Sequence, residues 1–145
     1  MRIGVPKEIK PQENRIGLTP ESVKVLTSNG HKVLVENNGG FEAGFYNNQY
    51  IKAGATIVDK AEDIFNDSEV IVKVKEPLTN EIKMIKENQI VFTYLHLAAD
   101  KELTEGLVKT KSICIAYETV TDNNGRLPLL APMSAVAGRM SIQAG

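Results

Sequence analysis

Short apolar runs rich in β-branched residues alternate along the chain with segments whose apolar positions recur every three or four residues. The runs fall at residues 3–5, 32–35, 56–58, 70–74, 89–95 and 112–116, and their length and composition predict strands. Ile90-Val91-Phe92-Thr93-Tyr94-Leu95 is apolar almost throughout, as expected of a strand buried on both faces of a parallel sheet. Between the runs, Ala61, Ile64 and Phe65 lie at i, i+3, i+4, and Leu78, Ile82 and Ile85 at i, i+4, i+7. Leu103 and Leu107 form a further i, i+4 pair. Each set places its apolar side chains on one face of a helix. The first helix has a definite start: Thr19 can cap it, Pro20 suits its first turn and Glu21 complements its dipole. Asn29-Gly30 then supplies a left-handed stop. This alternation predicts an α/β fold, a doubly wound and mainly parallel sheet, Rossmann-like or flavodoxin-like, with helices on both faces.

After residue 117 the rhythm changes. Asp122-Asn123-Asn124-Gly125 is a strong turn signal and predicts a hairpin with two short arms. A helix rich in small residues follows, Ala131-Pro132-Met133-Ser134-Ala135-Val136-Ala137-Gly138-Arg139-Met140. Residues 1–130 therefore read as one domain and 131–145 as the start of a connecting helix. The stop at Gly145, without a charged last turn or a capping pattern, reads as a truncation.

Composition narrows the classes. The 145 residues are 42% apolar and 24% charged, the balance of an ordinary globular domain. A net charge of −1 gives no field favouring nucleic acid or an anionic membrane. No apolar run approaches the ~20 residues of a spanning helix. The opening Met1-Arg2-Ile3-Gly4-Val5-Pro6 lacks the apolar core of a signal peptide, so a cytoplasmic location is expected. With one cysteine and two histidines, no zinc cluster has its ligands, and no metal is expected. Cys114, within Ile113-Cys114-Ile115-Ala116, reads as a buried and inert thiol.

The chemistry gathers at strand ends. The glycine-rich stretch Asn37-Asn38-Gly39-Gly40-Phe41-Glu42-Ala43-Gly44 does not fit G-x-G-x-x-G and reads as a flexible loop rather than a phosphate cradle. His31 follows the stop at Gly30 and reads as a solvated loop residue. His96 closes the apolar run ending at Leu95, and the run before it breaks into Lys73-Val74-Lys75. In open α/β sheets ligands bind outside the carboxyl ends of the strands. A proton-exchanging imidazole and a cation there suit a small anionic substrate, although a strand-end histidine is more often structural. Alternation puts Lys73 and Lys75 on one face, so spacing does not choose between them. Arg15, in the loop after the first strand, reads either as a surface ion pair with Glu13 or as a bidentate clamp for a carboxylate.

A resemblance adds what spacing does not. Arg2-Ile3-Gly4-Val5-Pro6-Lys7-Glu8 with Asn14-Arg15-Ile16-Gly17-Leu18-Thr19-Pro20 is similar to the start of the alanine dehydrogenase family. So are Lys73-Val74-Lys75-Glu76-Pro77, Tyr94-Leu95-His96-Leu97-Ala98, Ala116-Tyr117-Glu118-Thr119-Val120 and Leu127-Pro128-Leu129-Leu130-Ala131-Pro132-Met133-Ser134. The likeness runs through essentially the whole chain. It implies an oxidoreductase of L-alanine catabolism: NAD-dependent, reversible deamination of L-alanine to pyruvate and ammonia, in a cytoplasmic homo-oligomer that is often a hexamer. Carried over, Arg15 and Lys75 hold the substrate carboxylate and keto oxygen, and His96 is the general acid/base. Met133 packs near substrate and nicotinamide, and Ser134 contacts NAD. In the family a glycine-fingerprint domain with the catalytic aspartate follows this region, so NAD is expected to be bound mainly there. The chain is then the substrate-binding half, inactive alone. Two other readings are a non-catalytic keto-acid or amino-acid binding module, and the alpha subunit of nicotinamide nucleotide transhydrogenase. The transhydrogenase family carries neither the histidine nor the lysine at the positions matching His96 and Lys75.

Overall fold

A computed structural model describes residues 1–144 of the chain; Gly145, the last residue of the expected connecting helix, lies outside the described residues. The strands are β1 (Arg2–Val5), β2 (Lys32–Glu36), β3 (Thr56–Val58), β4 (Val70–Val72), β5 (Ile90–Thr93) and β6 (Ile113–Ala116). The helices are α1 (Pro20–Ser28), α2 (Asn47–Lys52), α3 (Ala61–Asp67), α4 (Thr79–Ile82), α5 (Lys101–Thr110) and α6 (Ala131–Ala144). All ladders are parallel, and the strands lie in the order β3-β2-β1-β4-β5-β6. That is the doubly wound Rossmann order rather than the flavodoxin one, with its switch point between β1 and β4.

The pleat sorts the core into two faces. Ile3, Val5, Val33, Val35 and Val72 share one face, where Val23 of α1 and Tyr50 of α2 pack on them. Ile71 and Val91 share the other, beneath Ile64 and Phe65 of α3 and Leu103 and Leu107 of α5. The first face is covered only in part. Ile113 and Ile115 of the edge strand β6 are 50% and 40% exposed. An apolar groove of about 510 Å³ runs over Val70, Val72 and Phe92 toward Tyr117 and Leu129.

Helix α1 starts as predicted: Thr19 accepts a hydrogen bond from the Ser22 amide, and Pro20 opens the first turn. Several expectations are corrected. Two strands stop short of their apolar runs, at Val72 and Thr93. Helix α2 was not legible, because only Tyr50 of its residues is buried. The predicted hairpin after residue 117 does not form. The turn itself closes, with the Asp122 amide donating to the Arg126 carbonyl at 2.9 Å and Asp122 Oδ1 accepting from the amides of Asn124 and Arg126. No strands flank it among the described residues, and Pro128 has no N–H to give a ladder. The glycine-rich loop is a hydrogen-bonded 3₁₀ turn, Phe41–Ala43, beside side-chain bonds linking Asn37, Asn38 and Asn47. Cys114 is half-buried rather than buried, its Sγ 3.4 Å from Ser112 Oγ.

Candidate active site

The carboxyl ends of β1, β4 and β5, beside the switch point, deliver the three groups singled out from the sequence. Arg15 stands on the loop between β1 and α1, Lys75 beyond β4 and His96 beyond β5. Together with Tyr94, Leu130, Met133, Ser134 and Ala137 they line a single cavity of about 290 Å³. The last three come from the first turns of α6, whose start the 117–130 segment carries back over the site.

The two lysines are separated by where β4 ends. Because the strand stops at Val72 and the chain bends at Val74–Lys75, the alternation that would have put both lysines on one face breaks down. Lys73 is fully buried, its Nζ 3.0 Å from Glu8 Oε2 and 2.7 Å from Glu81 Oε1. Lys75 turns to the cavity. Thr93 Oγ1 donates to the Lys75 carbonyl at 2.9 Å and fixes that bend to β5.

The ion pair expected of Arg15 forms with Glu13. Its Nε and Nη2 donate to Glu13 Oε1 and Oε2 at 2.8 and 2.7 Å. This hydrogen-bonded pair holds the Glu13 carboxyl below its ordinary range and raises the guanidinium further. One edge of the fork is thereby taken, and Nη1, 3.9 Å from Met133 Sδ, faces α6. An incoming carboxylate would meet the Nη1/Nη2 edge of a guanidinium already locked in orientation.

His96 is left-handed at φ 51°, ψ 36°, an uncommon state for a residue with a Cβ. Its side chain is 53% exposed. Its Nδ1 lies 3.7 Å from Glu76 Oε2, a buried oxygen with no hydrogen-bond partner among the described residues. Burial pushes the Glu76 carboxyl upward, but the Lys10 ammonium and nearby Lys75 outweigh it and hold the group below its ordinary range. Glu118 accepts from the backbone amides of Leu95 and His96. Burial opposes its ionisation, and those amides reverse the effect, so its carboxyl also lies low. Tyr94 donates its hydroxyl to the Leu129 carbonyl and stacks edge-on against Tyr117, with ring centroids 4.9 Å apart. Burial in that stack raises the Tyr117 phenol well above its usual value.

Sequence reasoning missed the carboxylates. Glu8, Glu76 and Glu118 each stand a few residues past a strand end, but nothing local in the sequence ties them to a partner in another loop. Glu13 was legible only as half of a surface pair.

Set beside known proteins, the chain matches the family described as alanine dehydrogenase/PNT, N-terminal domain, over residues 4–137. Alanine dehydrogenase of Staphylococcus epidermidis is 54% identical over 145 residues, covering 100% of this chain and 39% of that protein. The Methanococcus maripaludis alanine dehydrogenase is 50% identical over the same 145 residues and 39% of its own length. A solved L-alanine dehydrogenase superposes with a TM-score of 0.94 at 52% identity, over 100% of this chain and 40% of that one. The transhydrogenase from Sinorhizobium meliloti gives 0.76 at 29% identity, over 81% of this chain and 35% of that one. The chain thus spans well under half the length of the curated relatives it matches. On the strength of a match running through nearly all of its residues, the chain belongs to the alanine dehydrogenase/PNT N-terminal domain family.

Proposed function

We propose that this chain is the substrate-binding half of an NAD-dependent alanine dehydrogenase, taking L-alanine to pyruvate and ammonia and back. The observation that carries the reading is the single cavity shared by Arg15, Lys75 and His96. A guanidinium and an ammonium facing one small space suit the carboxylate and keto oxygen of a three-carbon acid. Higher likeness to L-alanine dehydrogenase than to transhydrogenase supports the same choice. A carrier of hydride between two nucleotides has no imine to hydrolyse and no carboxylate to hold.

In the mechanism, Arg15 grips the carboxylate through its free edge while Glu13 holds the other edge. Lys75 donates to the keto oxygen of pyruvate and stabilises negative charge that develops there. When bound, NAD would supply the hydride acceptor for the alanine Cα, and the oxidised substrate is then an iminium. His96 then takes a proton from the water that adds to the iminium carbon, passes it to nitrogen, and takes the hydroxyl proton as ammonia leaves and the keto group forms. A histidine is suited to these transfers because its ordinary pKa lies near neutrality, and such groups contribute ~10²–10⁴-fold.

The NAD fit on this chain rests on Met133 and Ser134. They combine an apolar wall and a hydroxyl at the rim of the His96 cavity, a chemistry that suits a nicotinamide ring and its amide. We read residues 1–130 as the substrate-binding domain and α6 as the start of a connection to a second domain that holds most of the cofactor. The whole enzyme is proposed as a cytoplasmic homo-oligomer. Among the described residues no helix is long and apolar enough to cross a membrane.

Calorimetric titration of the chain with pyruvate tests the reading. Binding is expected, with Lys75→Met weakening it by about tenfold or more, the scale of one charged hydrogen bond. The chain alone is expected to make no NADH from alanine and NAD. Absence of pyruvate binding, or binding indifferent to Lys75, would sink the assignment; rapid NADH production would overturn the claim that a second domain is needed.

A further inference from the structure

Lys75 and His96 sit at equivalent places past the ends of neighbouring strands. The last ladder residue of β4 is Val72, paired with Phe92. The next amide, of Lys73, donates to Phe92 O at 3.1 Å. The two after it, of Val74 and Lys75, both reach Glu8 Oε1, at 2.6 and 3.3 Å. The last ladder residue of β5 is Thr93, paired with Ala116. The next amide, of Tyr94, donates to Val74 O at 3.2 Å. The two after it, of Leu95 and His96, both reach Glu118 Oε1, at 3.0 and 2.7 Å.

The two strand ends therefore repeat one device. At each end one amide continues the ladder toward the other strand of the pair, and two consecutive amides then converge on a carboxylate from the opposite neighbour. Glu8 arrives from beyond β1, and Glu118 from beyond β6. The third residue past each ladder, Lys75 and His96, lines the cavity. A strand end left to itself frays, and its free amides bind water. An ionised carboxylate binding two of them makes short, charge-assisted bonds and fixes the direction in which the next side chain leaves. For His96 it also offsets a left-handed backbone that a side chain disfavours.

We propose that Glu8 and Glu118 are positioning residues, each clamping two successive amides past a strand end and so setting where Lys75 and His96 present their side chains. The consequence for binding rests on the keto-acid reading of the cavity. Glu8 also neutralises the buried Lys73, so its loss disturbs the whole domain. Glu118 binds through backbone amides and carries the test.

The experiment compares the ¹⁵N-labelled chain with Glu118→Gln and Glu118→Ala by NMR. In the unaltered chain the Leu95 and His96 amide protons follow the ionisation of a carboxylate whose pKa lies below the ordinary range; in both variants that response disappears. Pyruvate titration of folded Glu118→Ala is expected to show about tenfold weaker binding, the worth of one charged hydrogen bond, and no pyruvate-induced shift at the His96 ring. Glu118→Gln keeps one acceptor oxygen and falls between. A purely structural role would lower the melting temperature while leaving the folded fraction's affinity and His96 response intact, and that result overturns the inference. So does a His96 amide that ignores Glu118 in the unaltered chain. Failure of the unaltered chain to bind pyruvate instead sinks the keto-acid reading, and the amide titration still decides the clamp.

Discussion

Lys73 and Lys75 are two residues apart and chemically identical, yet the fold gives them opposite tasks. Lys73 has no exposure and two carboxylate neighbours, Glu8 and Glu81. Glu81 in turn accepts the Leu78 amide, so the ammonium ties the ends of β1 and β4 to α4. Replacing Lys73 with Met would leave two buried carboxylates facing each other without a cation. The expected cost is about 3–5 kcal/mol, the usual penalty for breaking a buried pair from one side, read from urea denaturation; a loss under about 1 kcal/mol, the value of a surface pair, would contradict the buried triad. Acid sensitivity belongs to this scale too. Glu13, Glu76 and Glu118 have folded pKa values below their ordinary range, so they favour the fold when ionised. Their contribution is full above the unfolded value of about 4.3 and drains away as pH falls through the lower folded values. Glu36 opposes them, since burial raises its carboxyl and its ionisation weakens the fold. Glu118→Gln removes one stabilising term, and the urea midpoint should then fall less steeply with acid below about pH 5. An unchanged acid slope would show that the amides around Glu118 do not favour its charge.

At the scale of elements, what the sequence revealed depended on what made each element. Helix α1 was legible because its start is chemical and local: a capping threonine, a proline and an acidic residue within three positions. Strands β4 and β5 were legible in place but not in length. Val74 and Leu95 remain 7% and 2% exposed although neither lies in a strand. Burial, not the ladder, sets where an apolar run stops, and here the core extends beyond the ladder under the loops of the site. The cavity was legible only as a set of strand ends, because the convergence of Arg15 on β4 depends on a close approach. Gly17 provides it: a Cβ there would lie 2.6 Å from Val72 O and 2.9 Å from Val72 C. Both atoms are backbone and cannot swing aside. Gly17→Ala should therefore cost about 1–3 kcal/mol, as overpacking does, and displace the end of β4, weakening pyruvate binding. Thr19→Ala, two residues on, loses a helix cap worth about 1 kcal/mol but touches no strand end, so affinity should survive. Equal effects of the two on binding would remove the argument that Gly17 seats the Arg15 loop.

At the scale of the whole molecule, the sheet is covered unevenly. One face carries α3 over the β1–β2–β3 half and α5 over the β4–β5–β6 half, while the opposite face has α1 and α2 packed only toward β2 and β3. Ile90, Phe92, Ile113 and Ile115 share that second face through the parallel register. Ile113 and Ile115 lie on an edge strand, where unpaired backbone adds to the exposed apolar surface. Helix α6 adds Val136, Met140 and Ile142, which are 50%, 60% and 83% exposed. This much exposed large apolar side chain is uncommon on a monomeric soluble domain. The 145 residues by themselves should therefore self-associate with rising concentration and bind a hydrophobic dye. A double substitution, Ile113→Lys with Ile115→Lys, places two charges on the uncovered face without entering the α3–α5 core. It should reduce both effects while leaving pyruvate affinity intact, because neither residue lines the Arg15–Lys75–His96 cavity. Sedimentation velocity across a concentration series, paired with dye fluorescence, decides the matter. An unaltered chain that stays monomeric and dye-free would mean that the face is less accessible than its exposure implies, and association unaffected by the lysines would move the sticky surface to α6.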